Sequence, residues 1–270
     1  MDNDFSKTHL PFYSVNHGKG EEVTHDLYLW TDQIVNICYF GLKGTRDWVL
    51  IDTGMPHSKE AIMKAAEDRF GHKEKPKAIL LTHAHFDHVG SLQPLLDEWE
   101  DVPVYAHNME LPYLTGEKDY PKPDPSAHGG LVTTLSPLFP NHGISIRGVL
   151  PLPSDGSIPH MPGWRWIHTP GHTPGHVSFF REEDRTLITG DAFVTVHQES
   201  LFNVITQKKA ISGPPKYFTM NWDDAKTSVR KLQQLHPRKA ATGHGECMDG
   251  NELSESLDYL VTHFDENAIP

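Results

Sequence analysis

The six residues His83-Ala84-His85-Phe86-Asp87-His88 constrain this chain more than any other stretch. They follow an apolar run, Ala78-Ile79-Leu80-Leu81, that reads as a short buried strand within residues 76–81. Side chains two apart on an extended segment project to the same side, so the spacing places His83 and His85 to grip one ion. A change of chain direction directly after them turns Asp87 and His88 toward a second ion. Imidazole and carboxylate donors packed this densely suit borderline divalent cations, and a strand end supplies the rigidity such a site needs.

Three further segments carry the same chemistry. Gly171-His172-Thr173-Pro174-Gly175-His176 is a glycine-rich turn after a strand, and His172 is expected to be the third ligand of the first ion. His176 is expected to serve a structural role, or to hydrogen-bond behind the ligands, rather than to bind metal itself. Thr189-Gly190-Asp191 ends the next strand with a carboxylate able to bridge two cations, although such a tripeptide taken alone is more often a simple turn. Gly243-His244-Gly245 ends the last strand, and His244 is expected to complete the ligands of the second ion. Each segment sits where a strand gives way to a loop, the usual place for chemistry in sheet enzymes. The other histidines follow no such pattern: His9, His17, His25, His57, His72, His107, His160, His236 and His263 read as ordinary surface or core residues. His128, His142 and His197 fall in irregular segments, where a pocket lining is the alternative.

The whole chain, 1–270, reads as a single domain in which strands and helices alternate around these loops. Leu27 to Trp30, Ile34 to Leu42 and Trp48 to Ile51 are strand-like, and His57 to Phe70 has helical spacing. Ser91 is placed to cap a helix running to Trp99. Prolines and the Gly129-Gly130 pair break up residues 107–160, which read as an irregular insertion, either a lid or pocket wall or a plain surface excursion. Residues 192–220 form a second irregular region. Strands recur at Trp164–Thr169, Val177–Phe180, Thr186–Thr189 and Lys239–Thr242, with helices at Asp223–Leu235 and from Leu253 to Phe264.

Composition narrows the partners. A formal net charge of -12 repels a phosphate backbone, so no nucleic acid is expected and a small-molecule substrate takes its place. No run approaches the roughly 18 apolar residues of a membrane span, and no signal-peptide stretch follows the polar N-terminus, so no membrane contact and a cytoplasmic location are expected. The two cysteines, Cys38 and Cys247, make no disulfide framework. Oligomeric state has no legible sign.

At this point the set His83, His85, Asp87, His88, His172, Asp191 and His244 resembles the metallo-β-lactamase superfamily, and Ile51-Asp52-Thr53-Gly54 is similar to its early strand-turn signature. The resemblance runs from about residue 34 to 245. It implies an α/β fold, a four-layer αβ/βα sandwich of two mixed sheets with helices outside. It also implies His83, His85 and His172 on one metal, Asp87, His88 and His244 on the other, and Asp191 bridging. The cofactors would be two divalent ions, zinc first, with manganese, iron or cobalt as alternatives.

The function implied is hydrolysis of a small ester, lactone or thioester by a metal-bridging hydroxide, with Asp87 as the catalytic carboxylate that orients it. An iron-dependent persulfide dioxygenase with a single iron, and a metal-binding protein without catalysis, are the alternatives. Within the superfamily, true β-lactamases generally lack the bridging carboxylate that Asp191 would supply. Glyoxalase II-like thioesterases carry a helical domain where only a short stretch follows Gly245. Acyl-homoserine lactonases have a tyrosine where this chain has Val194, so a lactonase would need another donor such as Tyr217. Whether Tyr217, His197 or the 107–160 insertion touches substrate has no legible code.

Overall fold

The computed structural model describes residues 5, 8, 13–71, 74–127, 131–198 and 200–270; His9, His72, His128 and the Gly129-Gly130 pair lie outside them. The chain divides into two units, Met1–Tyr120 with Pro140–Pro162, and Pro121–Phe139 with Gly163–Pro270. The proline-rich stretch expected as one insertion at 107–160 is thus shared out between the units.

Among the described residues the first unit builds a seven-stranded sheet in sequence order: β1 (Gly20–Thr24), β2 (Leu27–Asp32), β3 (Val35–Phe40), β4 (Val49–Ile51), β5 (Ala78–Leu80), β6 (Val104–Ala106) and β7 (Leu150–Pro151). β1 to β4 pair antiparallel and β4 to β7 parallel. Connection length explains the change. Only Gln33 and Ile34 separate β2 from β3, with Gln33 in the left-handed region at φ 55° that tight hairpins use. Parallel neighbours need a crossover, and α1 (Lys59–Phe70) supplies it between β4 and β5. α2 (Phe86–Val89) and α3 (Leu92–Glu98) do so between β5 and β6, and α4 (Leu111–Leu114) follows β6.

β4 and β5 are apolar and buried at every position, as parallel strands covered on both faces should be. Several contacts fasten α1 to the sheet, two of them made by Tyr39 and Trp48. The Tyr39 hydroxyl donates to the Ile62 carbonyl at 3.0 Å, and the Trp48 ring stacks on Phe70 with centroids 4.6 Å apart. A ring pair of this kind contributes about 0.5–1.5 kcal/mol beyond the area it buries. β1 gives no strand signal in the sequence, because Gly20-Glu21-Glu22 is polar and exposed, a composition that protects a sheet edge. Ser91 precedes α3 but its hydroxyl does not cap the helix. It donates instead to the Met55 carbonyl at 2.7 Å and accepts from the Ser58 N–H at 2.9 Å.

The second unit has a five-stranded sheet in the order β14-β13-β10-β9-β8, formed by β8 (Trp164–His168), β9 (Val177–Arg181), β10 (Thr186–Gly190), β13 (Lys239–Thr242) and β14 (Met248–Asp249). β10 and β13 are parallel and the other pairs antiparallel. The expected irregular region 192–220 contains more structure than its sequence announces: a ribbon of β11 (Val194–Val196) and β12 (Lys209–Ser212), with α6 (Leu201–Thr206) between them. Strands this short show too few residues for a period to emerge. α5 (Leu131–Leu135), α7 (Trp222–Gln233), α8 (Gly250–Thr262) and α9 (Phe264–Asn267) complete the helices described.

α7 begins where Asn221 accepts a hydrogen bond from the Asp224 N–H, and Asp223 and Asp224 complement the helix dipole in the first turn. Val229 and Leu232 of α7 join Leu253, Leu257 and Leu260 of α8 in covering Ile167, Phe180 and Leu187 of the sheet. Among the described residues no helix is long and apolar enough to cross a membrane. Leu232 is fully buried in this cluster. Leu232→Ala should therefore lower unfolding free energy by about 2–5 kcal/mol in a denaturant titration, and a change below 1 kcal/mol, on the order of a surface substitution, would contradict the packing described.

Candidate metal centre

In the first unit β4 and β5 run side by side with Ile51 opposite Leu80, so Asp52 and Thr82 emerge from the strand ends as neighbours. The Asp52 carboxylate collects three donors. Oδ1 accepts from the Thr82 N–H at 2.8 Å, and Oδ2 accepts from the Thr82 hydroxyl and from His88 Nδ1, each at 2.8 Å. A threonine hydroxyl has one hydrogen, and Thr82 gives it to Asp52. It therefore accepts from the Nδ1–H of His83, 3.0 Å away. One carboxylate thus sets two imidazoles, His88 directly and His83 through Thr82. Both carry their proton on Nδ1, so Nε2 is the nitrogen that would face an ion.

His83, His85, Asp87 and His88 are all buried. Ligand atoms of His83 and His85, of His83 and His88, and of Asp87 and His88 each lie within 4.8 Å of one another. Asp87 and His88 belong to α2, a single helical turn whose His88 carbonyl accepts from the Thr53 N–H at 2.7 Å and the Thr53 hydroxyl at 3.0 Å. The next residue, Gly54, has φ 61°, and a Cβ there would stand 2.6 Å from Asp32 Oδ2. Only glycine fits that turn. Burial raises the Asp32 carboxyl, which accepts from the Met55 N–H at 2.8 Å.

A second carboxylate supports the histidine loop. Glu110 is fully buried, and its Oε2 accepts from the N–H of Ala84, between His83 and His85, at 3.0 Å. The same oxygen accepts from the Tyr120 hydroxyl, and the Tyr120 ring lies 4.5 Å from that of His85. Burial, and next the charge of Glu110, hold the Tyr120 phenol well above its ordinary range, so it stays a donor.

The second unit holds His172, Asp191 and His244, all buried. Gly171 holds the His172 turn at φ 132°, where a Cβ would meet the Ala225 nitrogen at 2.3 Å. His172 Nδ1 lies 3.2 Å from the Thr219 hydroxyl, which spends its hydrogen on the Pro215 carbonyl at 2.8 Å. The same reasoning puts the His172 proton on Nδ1. His244 is fixed through its carbonyl, which accepts from the Thr195 N–H at 3.1 Å and the Thr242 hydroxyl at 2.8 Å. Asp191 Oδ2 stands 3.5 Å from His172 Nε2 and 3.3 Å from His244 Nε2.

These separations test whether the residues fit a metal. A charge-assisted N–H···O bond is shorter, about 2.7–2.9 Å. Two donors each about 2.0–2.1 Å from one tetrahedral ion, by contrast, stand about 3.3 Å apart. The Asp191 contacts match the edges of coordination shells, and the donor set of histidines and carboxylates fits divalent zinc, manganese, iron or cobalt.

Within each unit, then, the residues singled out from sequence come together: His83, His85, Asp87 and His88 in the first, His172, Asp191 and His244 in the second. His176 has both ring nitrogens engaged, with Nδ1 on Thr169 and Nε2 accepting from the Asp191 N–H. Tyr217 is buried with its ring packed on Phe139 and Phe218, and His197 is exposed. Sequence reasoning missed the roles of Thr82, Glu110, Tyr120 and Thr219. The Asp52-Thr53-Gly54 signature pointed to the right segment without showing what Asp52 holds.

The chain belongs to the metallo-beta-lactamase superfamily, whose model matches residues 30–244. It has the α/β fold expected of that family. It is 46% identical over 258 residues to the probable metallo-hydrolase YflN of Bacillus subtilis, covering 95% of this chain and 97% of that protein. Among solved structures, a protein in a di-iron-bound form, TTHA1623, is 28% identical with a TM-score of 0.53, over 80% of this chain and 89% of that one. The B3 metallo-beta-lactamase BLEG-1 is 25% identical with a TM-score of 0.58, over 84% and 94%.

The hydroxyl relay from Asp52 to His83 yields a direct test. Thr82→Val keeps the shape and removes the acceptor for His83 Nδ1–H. Affinity for divalent metal, measured by competition with a chromophoric chelator, should fall by about 10-fold or more; unchanged affinity would remove the relay from the site.

Proposed function

We propose that the chain is a dinuclear metal-dependent hydrolase. His83, His85 and His172 would hold one divalent ion, Asp87, His88 and His244 the other, and Asp191 would bridge them. The observation that carries this reading is the placement of a single carboxylate oxygen, Asp191 Oδ2, at coordination-edge distance from two histidine nitrogens. A carboxylate oxygen placed between two imidazole nitrogens in this way can bridge two ions.

Two such ions, when bound, supply an activated water and polarise a carbonyl oxygen. The chain's own residues do the rest. Asp87, on the α2 turn, keeps a carboxylate oxygen beside His88. It is the catalytic residue: it orients the attacking water and passes its proton to the leaving oxygen or sulfur. Burial of the histidines removes competing solvent and strengthens each charge interaction with the substrate. The substrate class is a small ester, lactone or thioester, and the strong negative net charge speaks against nucleic acid. Zinc is the first choice of metal, with iron next in view of the di-iron relative. A cytoplasmic enzyme acting on a small molecule is the resulting picture.

Elemental analysis of protein purified without added metal, followed by a panel of esters, lactones, thioesters and a β-lactam, tests the reading. Two ions per chain and turnover of an ester, lactone or thioester are expected. Asp191→Ala should lower metal content or activity at least about 10-fold. One iron per chain with oxygen uptake on a persulfide would overturn the hydrolase, and turnover of the β-lactam alone would overturn the substrate class.

A further inference from the structure

We propose that His176 is a positioning residue for the bridging carboxylate: its Nε2 holds the backbone N–H of Asp191 and so sets where that carboxylate stands. The inference rests on the two-ion reading above and concerns a residue that would itself bind no metal.

The need for such a residue comes from the strand. The pairing of β10 with β13 shifts register between Ile188 and Gly190, and Gly190 takes φ 53°. The chain turns out of the sheet at that point, and the N–H of Asp191 leaves the ladder while still buried. A buried N–H must find another acceptor. His176 Nε2 provides it at 2.9 Å.

An imidazole can accept at Nε2 only in its neutral form with the proton on Nδ1, and the surroundings impose that form. The Ser178 hydroxyl donates to the Thr189 carbonyl at 2.8 Å, so its oxygen accepts from the Thr169 hydroxyl at 3.0 Å. The alternative acceptor for Thr169, the His176 carbonyl, is farther at 3.5 Å. With its hydrogen committed, Thr169 accepts from His176 Nδ1–H at 2.9 Å. Thr169, His176, Ser178 and Thr189 are all buried. The network begins at the carbonyl of Thr189 and returns to the N–H of Asp191, two residues further along the same chain. It is a closed brace across the turn that aims the carboxylate, and a histidine that only filled space would require none of it.

Three variants separate positioning from packing. In His176→Gln the side-chain amide reaches the place of Nε2 and its oxygen can accept from the Asp191 N–H. In His176→Asn the amide reaches only the place of Nδ1, and His176→Ala removes both. Metal-stripped wild type and variants are titrated with zinc against a chromophoric chelator, alongside thermal melts of the metal-free proteins. The expected result is two ions for wild type, with the weaker ion bound about 10-fold less tightly or worse in the Ala and Asn variants. The Gln variant should regain most of that affinity. Wild-type protein that takes up two ions while all variants match it overturns the inference and leaves the metal reading standing, even if melting temperatures fall. Equal zinc affinities for the Asn and Gln variants also overturn it, a comparison that remains if the Ala variant does not fold. Wild-type protein that takes up fewer than two ions overturns the metal reading, and this inference with it.

Discussion

A histidine coordinates through Nε2 only when its proton sits on Nδ1, and in a buried site something must hold the proton there. This constraint organises the structure around the candidate ligands. His88 gives its Nδ1–H to Asp52, His83 to Thr82, and His172 to Thr219. In the two threonine cases the hydroxyl has already committed its single hydrogen to an oxygen, Asp52 Oδ2 or the Pro215 carbonyl, and is left able only to accept. The same device fixes His176 through Thr169. A neutral hydroxyl placed this way orients an imidazole without adding charge to a site that already concentrates carboxylates.

Backbone geometry makes the device possible. Asp52 reaches both Thr82 and His88 because β4 and β5 are adjacent parallel strands in register, and because Thr53 clasps the carbonyl of the α2 turn. The polar groups so gathered are costly to bury unless each is hydrogen-bonded or coordinated. Asp52 meets that requirement with three donors, and Glu110 with the Ala84 N–H and the Tyr120 hydroxyl. In the second unit the break in the β10 ladder performs the matching task, freeing Asp191 from the sheet so that its carboxylate meets both His172 and His244.

Much of this was legible in the sequence, and the reasons for the rest are physical. The candidate ligands stood out because metal binding demands particular side chains at close spacing, and each follows a strand whose apolar run is itself readable. α1 and α7 declared themselves by periodicity over twelve residues each. β11 and β12, three and four residues long, offered no period to detect. Thr82 and Thr219 are invisible in one dimension because their role depends on where a single hydroxyl hydrogen goes. Glu110 and Tyr120 act across a fold of the chain, on a loop more than twenty residues earlier. Ser91 has the sequence context of a helix cap, yet tertiary partners claimed its hydroxyl.

Asp52 and the threonine hydroxyls hold the buried imidazoles as Nδ1–H tautomers, the form in which Nε2 would face an ion. Long-range proton–nitrogen NMR spectra of the histidine rings, recorded on the metal-free and zinc-loaded protein, read this directly. His83, His88 and His172 should carry the proton on Nδ1 in both states, and zinc should shift Nε2. A proton on Nε2 of His88 or His83 in the metal-free protein, or zinc shifting Nδ1 instead, would contradict it.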